Sequence, residues 1–323
     1  MTSSSKRLLV TGASGFLGSR IVDFALHAGW RVRAFNRSPR ARIEGVETFV
    51  GDIGDSALLR KASEGVTAIV HAAGLAHVFG REAQNAARFN VVNEAGTASV
   101  IDAALESGAP NVVLVSSVSV YGDYPGALCD ETAACNPRGP YAISKWRSEQ
   151  VAAERMAKGR GSLTILRFGT MYGEGDRGNV ARLISAIDRG HFVRLGDGQN
   201  RKSLLYKADA ARACVYAAEL PKAVTEIFNV TAPPVTMEEI VNAICQALGR
   251  PVPRHGIPCF LLKVGSEILD RLGDPGQLVW QVEKFLRDDA YDGSRFAATF
   301  NFSPETSVTE GVLKQVSFLR TGR

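Results

Sequence analysis

In the first half of the chain, short apolar runs alternate with longer stretches of helical periodicity. Residues 7–11 read as a buried strand, and residues 16–27 as a helix closed by Gly29. Further strands are expected at 31–35, 47–50, 68–71 and 112–116, with helical spacing over 90–106 ahead of a stop at Gly108. Another helix is expected over 141–158, followed by a strand at 164–167. Such alternation predicts an α/β fold, a doubly wound parallel sheet with helices on both faces. Later the pattern loosens. Gly173 to Gly178 is a glycine-rich loop, 179–190 is helical, Gly196-Asp197-Gly198 is a turn, 227–230 a late strand and 236–248 a helix ended by Gly249 and Pro251. Beyond Pro251, Pro and Gly are frequent and no long strand is expected. The expected division is therefore a sheet domain of residues 1–172 plus about 204–232, and a smaller lobe of 173–203 and 233–323.

The 323 residues are 45% hydrophobic and 22% charged, ordinary material for one large domain or two unequal ones. A formal charge of +5 with scattered Arg residues gives no nucleic-acid footprint, though it suits phosphate-bearing small ligands. No stretch of apolar residues is long enough for a membrane span, and the N-terminus lacks the apolar core of a secretory signal. Five Cys residues (Cys129, Cys135, Cys214, Cys245, Cys259) include no C-x-x-C pair, and the His residues lack ligand spacing. A disulfide framework or metal site is not expected, and a reducing cytoplasm is the expected location.

Three features carry chemistry. Thr11-Gly-Ala-Ser-Gly-Phe-Leu-Gly18 joins the first strand to the first helix with G-x-x-G-x-x-G spacing. Gly12 permits a sharp turn, Gly15 lets backbone approach a pyrophosphate, and Gly18 allows close helix–strand packing. The helix N-terminus then offers free amides to the anion, with Ser14, Phe16 and Leu17 as further cofactor contacts. At the end of the second strand, where NAD enzymes usually place an acid, this chain has Asn36-Arg37. A neutral Asn would not repel a 2′-phosphate and the Arg could pair with it, which favours NADP over NAD. Asp52, after the third strand, is either an acceptor for the adenine amine or a plain turn residue. His71-Ala72-Ala73-Gly74, after the fourth, offers small side chains where a cofactor could cross the sheet edge.

Tyr141-Ala-Ile-Ser-Lys145 places a phenol and an ammonium on one helix face. A free phenol titrates near about 10, and a neighbouring cation should lower that value toward the range of a useful acid/base. Val115-Ser-Ser-Val-Ser-Val-Tyr-Gly122 ends the fifth strand at the carboxyl edge of the sheet, so Ser116, Ser117 and Ser119 are candidate donors to a substrate oxygen.

These motifs, with Asn93-Glu-Ala-Gly96-Thr97, Leu166-Arg167 to Tyr172-Gly173, Leu205-Tyr206 to Asp209 and Phe302-Ser-Pro304, resemble the extended short-chain dehydrogenases, the NAD-dependent epimerase/dehydratase family. The resemblance implies Ser117 as catalytic hydroxyl, Tyr141 as acid/base, and Lys145 as its pKa modulator and a ribose ligand. It also implies cofactor contacts at Ile53, Asn93 and Phe168. Members that eliminate water carry an Asp-Glu pair after the catalytic hydroxyl, where this chain has Val118-Ser119. That leaves C4 epimerisation or 4-keto reduction of a nucleotide sugar, as in bacterial polysaccharide pathways. Ser117, Ser119, Asn179 and Arg201 are the candidate substrate contacts, and His77 and His191 are weaker ones. Phe168 stands where the family usually has a proline. Reduction of an apolar ketone and a non-catalytic dinucleotide-binding regulator are the alternatives. A homodimer is expected by resemblance.

Overall fold

The computed structural model describes residues 6–39, 43–76, 82–109, 111–124, 126, 128–222, 224–253, 256–257 and 286–322. Its centre is a seven-stranded parallel sheet. In chain order the strands are β1 (Arg7–Thr11), β2 (Arg31–Asn36), β3 (Glu47–Val50), β4 (Ala68–His71), β5 (Asn111–Ser117), β6 (Ser162–Phe168) and β11 (Glu226–Val230). They lie in the order β11-β6-β5-β4-β1-β2-β3. The chain therefore moves outward from β1 to β3, then crosses to β4 on the other side of β1. That reversal opens a crevice beyond the carboxyl ends of β1 and β4, the place where open α/β sheets bind ligands. The expected doubly wound sheet is present.

Successive residues of each strand feed opposite faces. Leu8 and Val10 of β1 pack with Val32, Val70, Val113 and Phe228 under α1 (Gly18–His27) and α7 (Lys207–Glu219). Leu9 joins Ile69, Val112, Leu114 and Ile165 under α2 (Ser56–Ser63), α4 (Gly96–Ser107) and α5 (Gly139–Met156). A third cluster unites α6 (Asn179–Asp188), α8 (Met237–Leu248) and α10 (Val308–Thr321) through Val180, Ile184, Ile240, Ile244, Val312 and Val316. Short strands β7 (Thr170–Tyr172), β8 (Arg194–Leu195), β9 (Arg201–Lys202) and β10 (Leu204–Tyr206) lie between β6 and β11 in the chain, and β7 and β10 bring Tyr172, Leu204 and Tyr206 to this cluster.

Several expected boundaries move. The first helix starts at Gly18, because Gly15 to Leu17 form the turn itself; α5 begins at Gly139, with Pro140 in its first turn. The stretch expected as one helix over 90–106 is a π-helical turn (Asn90–Ala95) followed by α4, and α3 (Glu82–Phe89), which was not expected, precedes it. Helices α2, α7, α9 (Ser294–Phe300) and α10 were not expected. Among the described residues, no helix is long and apolar enough to cross a membrane.

Candidate active site

The glycine loop shows why its glycines are required. Gly12 has φ +67°, and a Cβ there would lie 2.7 Å from the Ala73 backbone. A Cβ on Gly18 would lie 2.0 Å from the Gly12 carbonyl oxygen. Loop, first helix and β4 exit are thus in backbone contact. Gly15 is different: a Cβ would meet only the Gly12 oxygen, at 3.1 Å, so its bareness leaves an exposed, open approach. No side chain caps the start of α1. The helix therefore presents uncapped amides and its positive end, which fits a pyrophosphate.

Asn36 lies behind this loop. Its side chain is buried, and its Oδ1 accepts from the Ser14 amide at 2.9 Å. It braces the loop, while Arg37 beside it is exposed. Asp52 is exposed and its Oδ1 accepts from the Gly54 amide at 2.9 Å, the turn-forming alternative. Ile53 is buried beneath Gly96, where a Cβ would come within 2.7 Å of it. Leu17 and Phe168 are core side chains, so neither places its side chain in the groove; Phe168 sits opposite Ser117 in the β5–β6 register. Phe16 carries the Lys207 ammonium 5.5 Å from its ring centre.

The exit of β4 is held from both sides. Asn93, in the π-helical turn, accepts from Leu75 N at 2.7 Å and donates to Leu75 O at 3.1 Å and Ser144 Oγ at 2.9 Å. The widened turn points this amide at the 72–75 strip, and such turns recur at functional sites. His71 is fully buried with both ring nitrogens bonded, to Thr11 Oγ1 at 2.7 Å and Thr97 Oγ1 at 3.0 Å. Its side chain supports the groove from behind, against the expectation of a cofactor contact. Gly74 lies beside Asn93 and Lys145: a Cβ on it would be 3.3 Å from Asn93 Oδ1 and 3.8 Å from Lys145 Nζ.

Ser117, the last residue of β5, and Tyr141, in the first turn of α5, meet through their side chains, and the Ser117 hydroxyl stabilises the phenolate. Burial nevertheless raises the Tyr141 pKa above its ordinary value. This corrects the expectation of a phenol acidified by its neighbour. Lys145 Nζ donates to Val115 O at 2.5 Å. Burial instead pulls the Lys145 pKa down to about 8, partly offset by Glu149. Ser117 Oγ also accepts from the Ser119 amide at 3.2 Å, and the Ser119 hydroxyl is buried without a partner.

A charge pair stands behind this helix that sequence reading passed over. Arg167 of β6 forks onto Glu149 at 2.6 and 3.0 Å, with both side chains at most 5% exposed. Ser116 donates to the same carboxylate, and the guanidinium lies 4.8 Å over the Tyr121 ring. The available signal was Glu149 itself, one turn beyond Lys145 and two beyond Tyr141 on the same face.

The remaining substrate candidates lie on other elements of the chain. Asn179 is exposed at the start of α6, whose first turn is capped by Asp176 through Ala181 N at 3.1 Å. Arg201 is engaged with Asp288 at 3.7 Å. His191 is exposed, and His77 lies outside the described residues. Cys129, Cys135, Cys214 and Cys245 are free thiols; Cys259 is outside the described residues.

A reversed parallel sheet with a glycine turn at the switch point, and Ser, Tyr and Lys gathered at the next strand end, define a dinucleotide-binding enzyme of the extended short-chain dehydrogenase type. The model of the NAD dependent epimerase/dehydratase family matches residues 8–231, and the chain belongs to that family. It is 29% identical over 307 residues to the N-acetyl-alpha-D-glucosaminyl-diphospho-ditrans,octacis-undecaprenol 4-epimerase of Escherichia coli O157:H7, covering 93% of this chain and 91% of that protein. It is also 29% identical over 327 residues to the 2-alkyl-3-oxoalkanoate reductase of Stenotrophomonas maltophilia (strain K279a), covering 95% and 97%. Among solved structures it is similar to MoeE5 in complex with UDP-glucuronic acid and NAD, at a TM-score of 0.77 and 26% identity, over 98% of this chain and 100% of that one.

Proposed function

We propose that this enzyme is a 4-epimerase of a sugar carried on a diphosphate, a nucleotide sugar in the first instance, and that it retains its nicotinamide dinucleotide through the cycle. The observation that carries this reading is the Ser117–Tyr141 pairing beside a position without a carboxylate, Val118-Ser119. Elimination of water needs an acid/base there, whereas inversion of a carbinol needs one proton and one hydride. The relatives support the same reading, since the Escherichia coli protein is a 4-epimerase of a diphosphate-linked sugar.

Gly12, Gly15, Gly18 and the start of α1 would hold the pyrophosphate, with Ala72 to Gly74, Asn93 and Lys145 along the ribose and nicotinamide. Bound there, the dinucleotide supplies the acceptor and donor of hydride. Tyr141 takes the proton of the C4 hydroxyl as that carbon is oxidised, and returns it when the ketone is reduced on its other face. Ser117 donates to the same sugar oxygen and steadies charge as it develops. Lys145, its pKa pulled down to about 8 by burial, is the cation on the Tyr141 face of the helix. Ser119, with its hydroxyl unpaired, and Asn179 and Arg201 remain the proposed sugar and diphosphate contacts. A homodimer in the cytoplasm is the proposed working form.

A second reading, one-way reduction of a ketone with NADPH, is favoured by the exposed Arg37 at the end of β2 and by the equal identity to the Stenotrophomonas reductase. Proton NMR of the purified protein with UDP-glucose or UDP-N-acetylglucosamine, without added cofactor, tests the choice. Appearance of the C4 epimer supports the epimerase. No epimer from these or from the polyprenyl-linked sugar, with NADPH consumed on a ketone, establishes the reductase.

A further inference from the structure

The hydrogen bonds around His71 can be assigned a direction. Thr97 Oγ1 has one proton and gives it to Asn93 O at 2.5 Å. Toward His71 Nε2, 3.0 Å away, it can therefore only accept, so Nε2 carries the ring proton. Nδ1 is then bare and accepts from Thr11 Oγ1 at 2.7 Å. Thr11 Oγ1, its own proton spent, accepts from the Ala73 amide at 3.2 Å. Every donor has an acceptor and every hydroxyl is used once.

The other tautomer breaks this order. Nδ1–H would point at Thr11 Oγ1, which already receives the Ala73 amide, and the Thr11 proton would be stranded in a fully buried site. A stranded buried donor is costly. The doubly protonated ring strands it equally, and the Lys145 charge opposes it as well. Burial first and Lys145 second hold the ring's pKa down at about 3.

We infer that His71 is a positioning residue for dinucleotide binding: a neutral, one-way relay from the Ala73 amide to the Asn93 carbonyl that fixes the 72–75 strip against the glycine loop. One end sets Ala73, whose backbone would be 2.7 Å from a Cβ on Gly12. The other end sets the turn whose Asn93 amide grips Leu75 and Ser144. Ser148 Oγ shares its one proton between Ser144 O, at 2.7 Å, and Asn93 O, at 2.9 Å, which brings the helix of Tyr141 and Lys145 against the end of the relay. The ring thus keeps three separate elements in register without touching the ligand.

The proposal concerns dinucleotide binding and stands whichever sugar or ketone is the substrate. His71→Leu removes both relay bonds, and His71→Asn keeps an acceptor within reach of Thr11. Binding is read by fluorescence titration of the dinucleotide-stripped protein with NAD and NADP, and folding by circular dichroism. The Leu variant is expected to weaken binding about tenfold or more, and the Asn variant by less than about threefold. Long-range nitrogen–proton NMR of the wild-type protein is expected to show the Nε2–H form from about pH 5 to about pH 9, with no titration in that range. Wild-type affinity in a folded Leu variant would overturn the proposal, as would the Nδ1–H form or a midpoint inside that range. If the Leu variant does not fold, the NMR result decides alone. Normal dinucleotide binding without epimerisation would dispose of the proposed function and leave this inference intact.

Discussion

The two walls of the groove are built from different material. On the glycine-loop side almost everything presented is backbone: bare Gly15, uncapped amides at α1, and the 72–75 strip. Its side chains (Asn36, His71, Thr11, Thr97) are turned inward, neutral and hydrogen-bonded. On the α5 side the working parts are side chains, Ser117, Tyr141 and Lys145, and behind them stands a buried full charge pair, Arg167–Glu149. A wall that binds phosphate needs amides at fixed places, so it forbids a Cβ. A wall that moves a proton needs titratable groups out of water, and burial here shifts both of them, Tyr141 upward and Lys145 downward. Substitutions should therefore separate binding from turnover according to the wall they strike.

The largest effect is expected from Tyr141→Phe, which should lower turnover about a hundredfold to ten-thousandfold and leave dinucleotide titration unchanged. A parallel loss of binding would erase the distinction between the walls. Next comes Arg167→Leu, which strands the Glu149 carboxylate in the core. Urea unfolding should register a loss of about 3–5 kcal/mol, most of it recovered in the Arg167→Leu/Glu149→Leu double variant. On the opposite wall, Gly12→Ala should weaken dinucleotide binding on the order of tenfold or more, since its positive φ alone costs about 1–2 kcal/mol before the contact with Ala73. Its turnover at saturating dinucleotide should suffer far less than that of Tyr141→Phe.

The neutral relay makes a pH-dependent prediction whose effect is small near neutral pH. Folded His71 titrates near about 3 and the unfolded ring near about 6.5. As pH falls through that window the unfolded chain takes up a proton that the folded chain refuses, so stability declines. Unfolding free energies of wild type and His71→Asn, compared across the window, should diverge by up to about 1.4 kcal/mol per pH unit, and by nothing above it. Smallest is Arg37→Asp, expected to move relative affinity from NADP toward NAD with little change in stability. An unchanged ratio would show that the exposed guanidinium does not read the 2′-phosphate.

The sheet and its glycine turn were legible because they depend on local pattern. Apolar runs of strand length, a glycine at each sharp turn and the Tyr-x-x-x-Lys spacing all survive in a linear reading. What escaped depends on partners distant in sequence. Asn36 reads as a ribose-side residue until its amide is found on Ser14 N. Arg201 reads as a free fork for phosphate until Asp288, 87 residues on, stands beside it. Helix α7 was passed over because Asp209 and Arg212, both buried, mimic an exposed polar segment. Helix α10 did carry a readable start, Ser307 capping the Glu310 amide. The raised Tyr141 pKa could not be read at all, since spacing places Lys145 on the right face but says nothing of the burial that lifts the phenol.

Retention of the cofactor separates an epimerase from a reductase most directly. Purified protein, denatured without added nucleotide, should release NAD in stoichiometric amount. An empty site, or NADP in its place, would contradict the account.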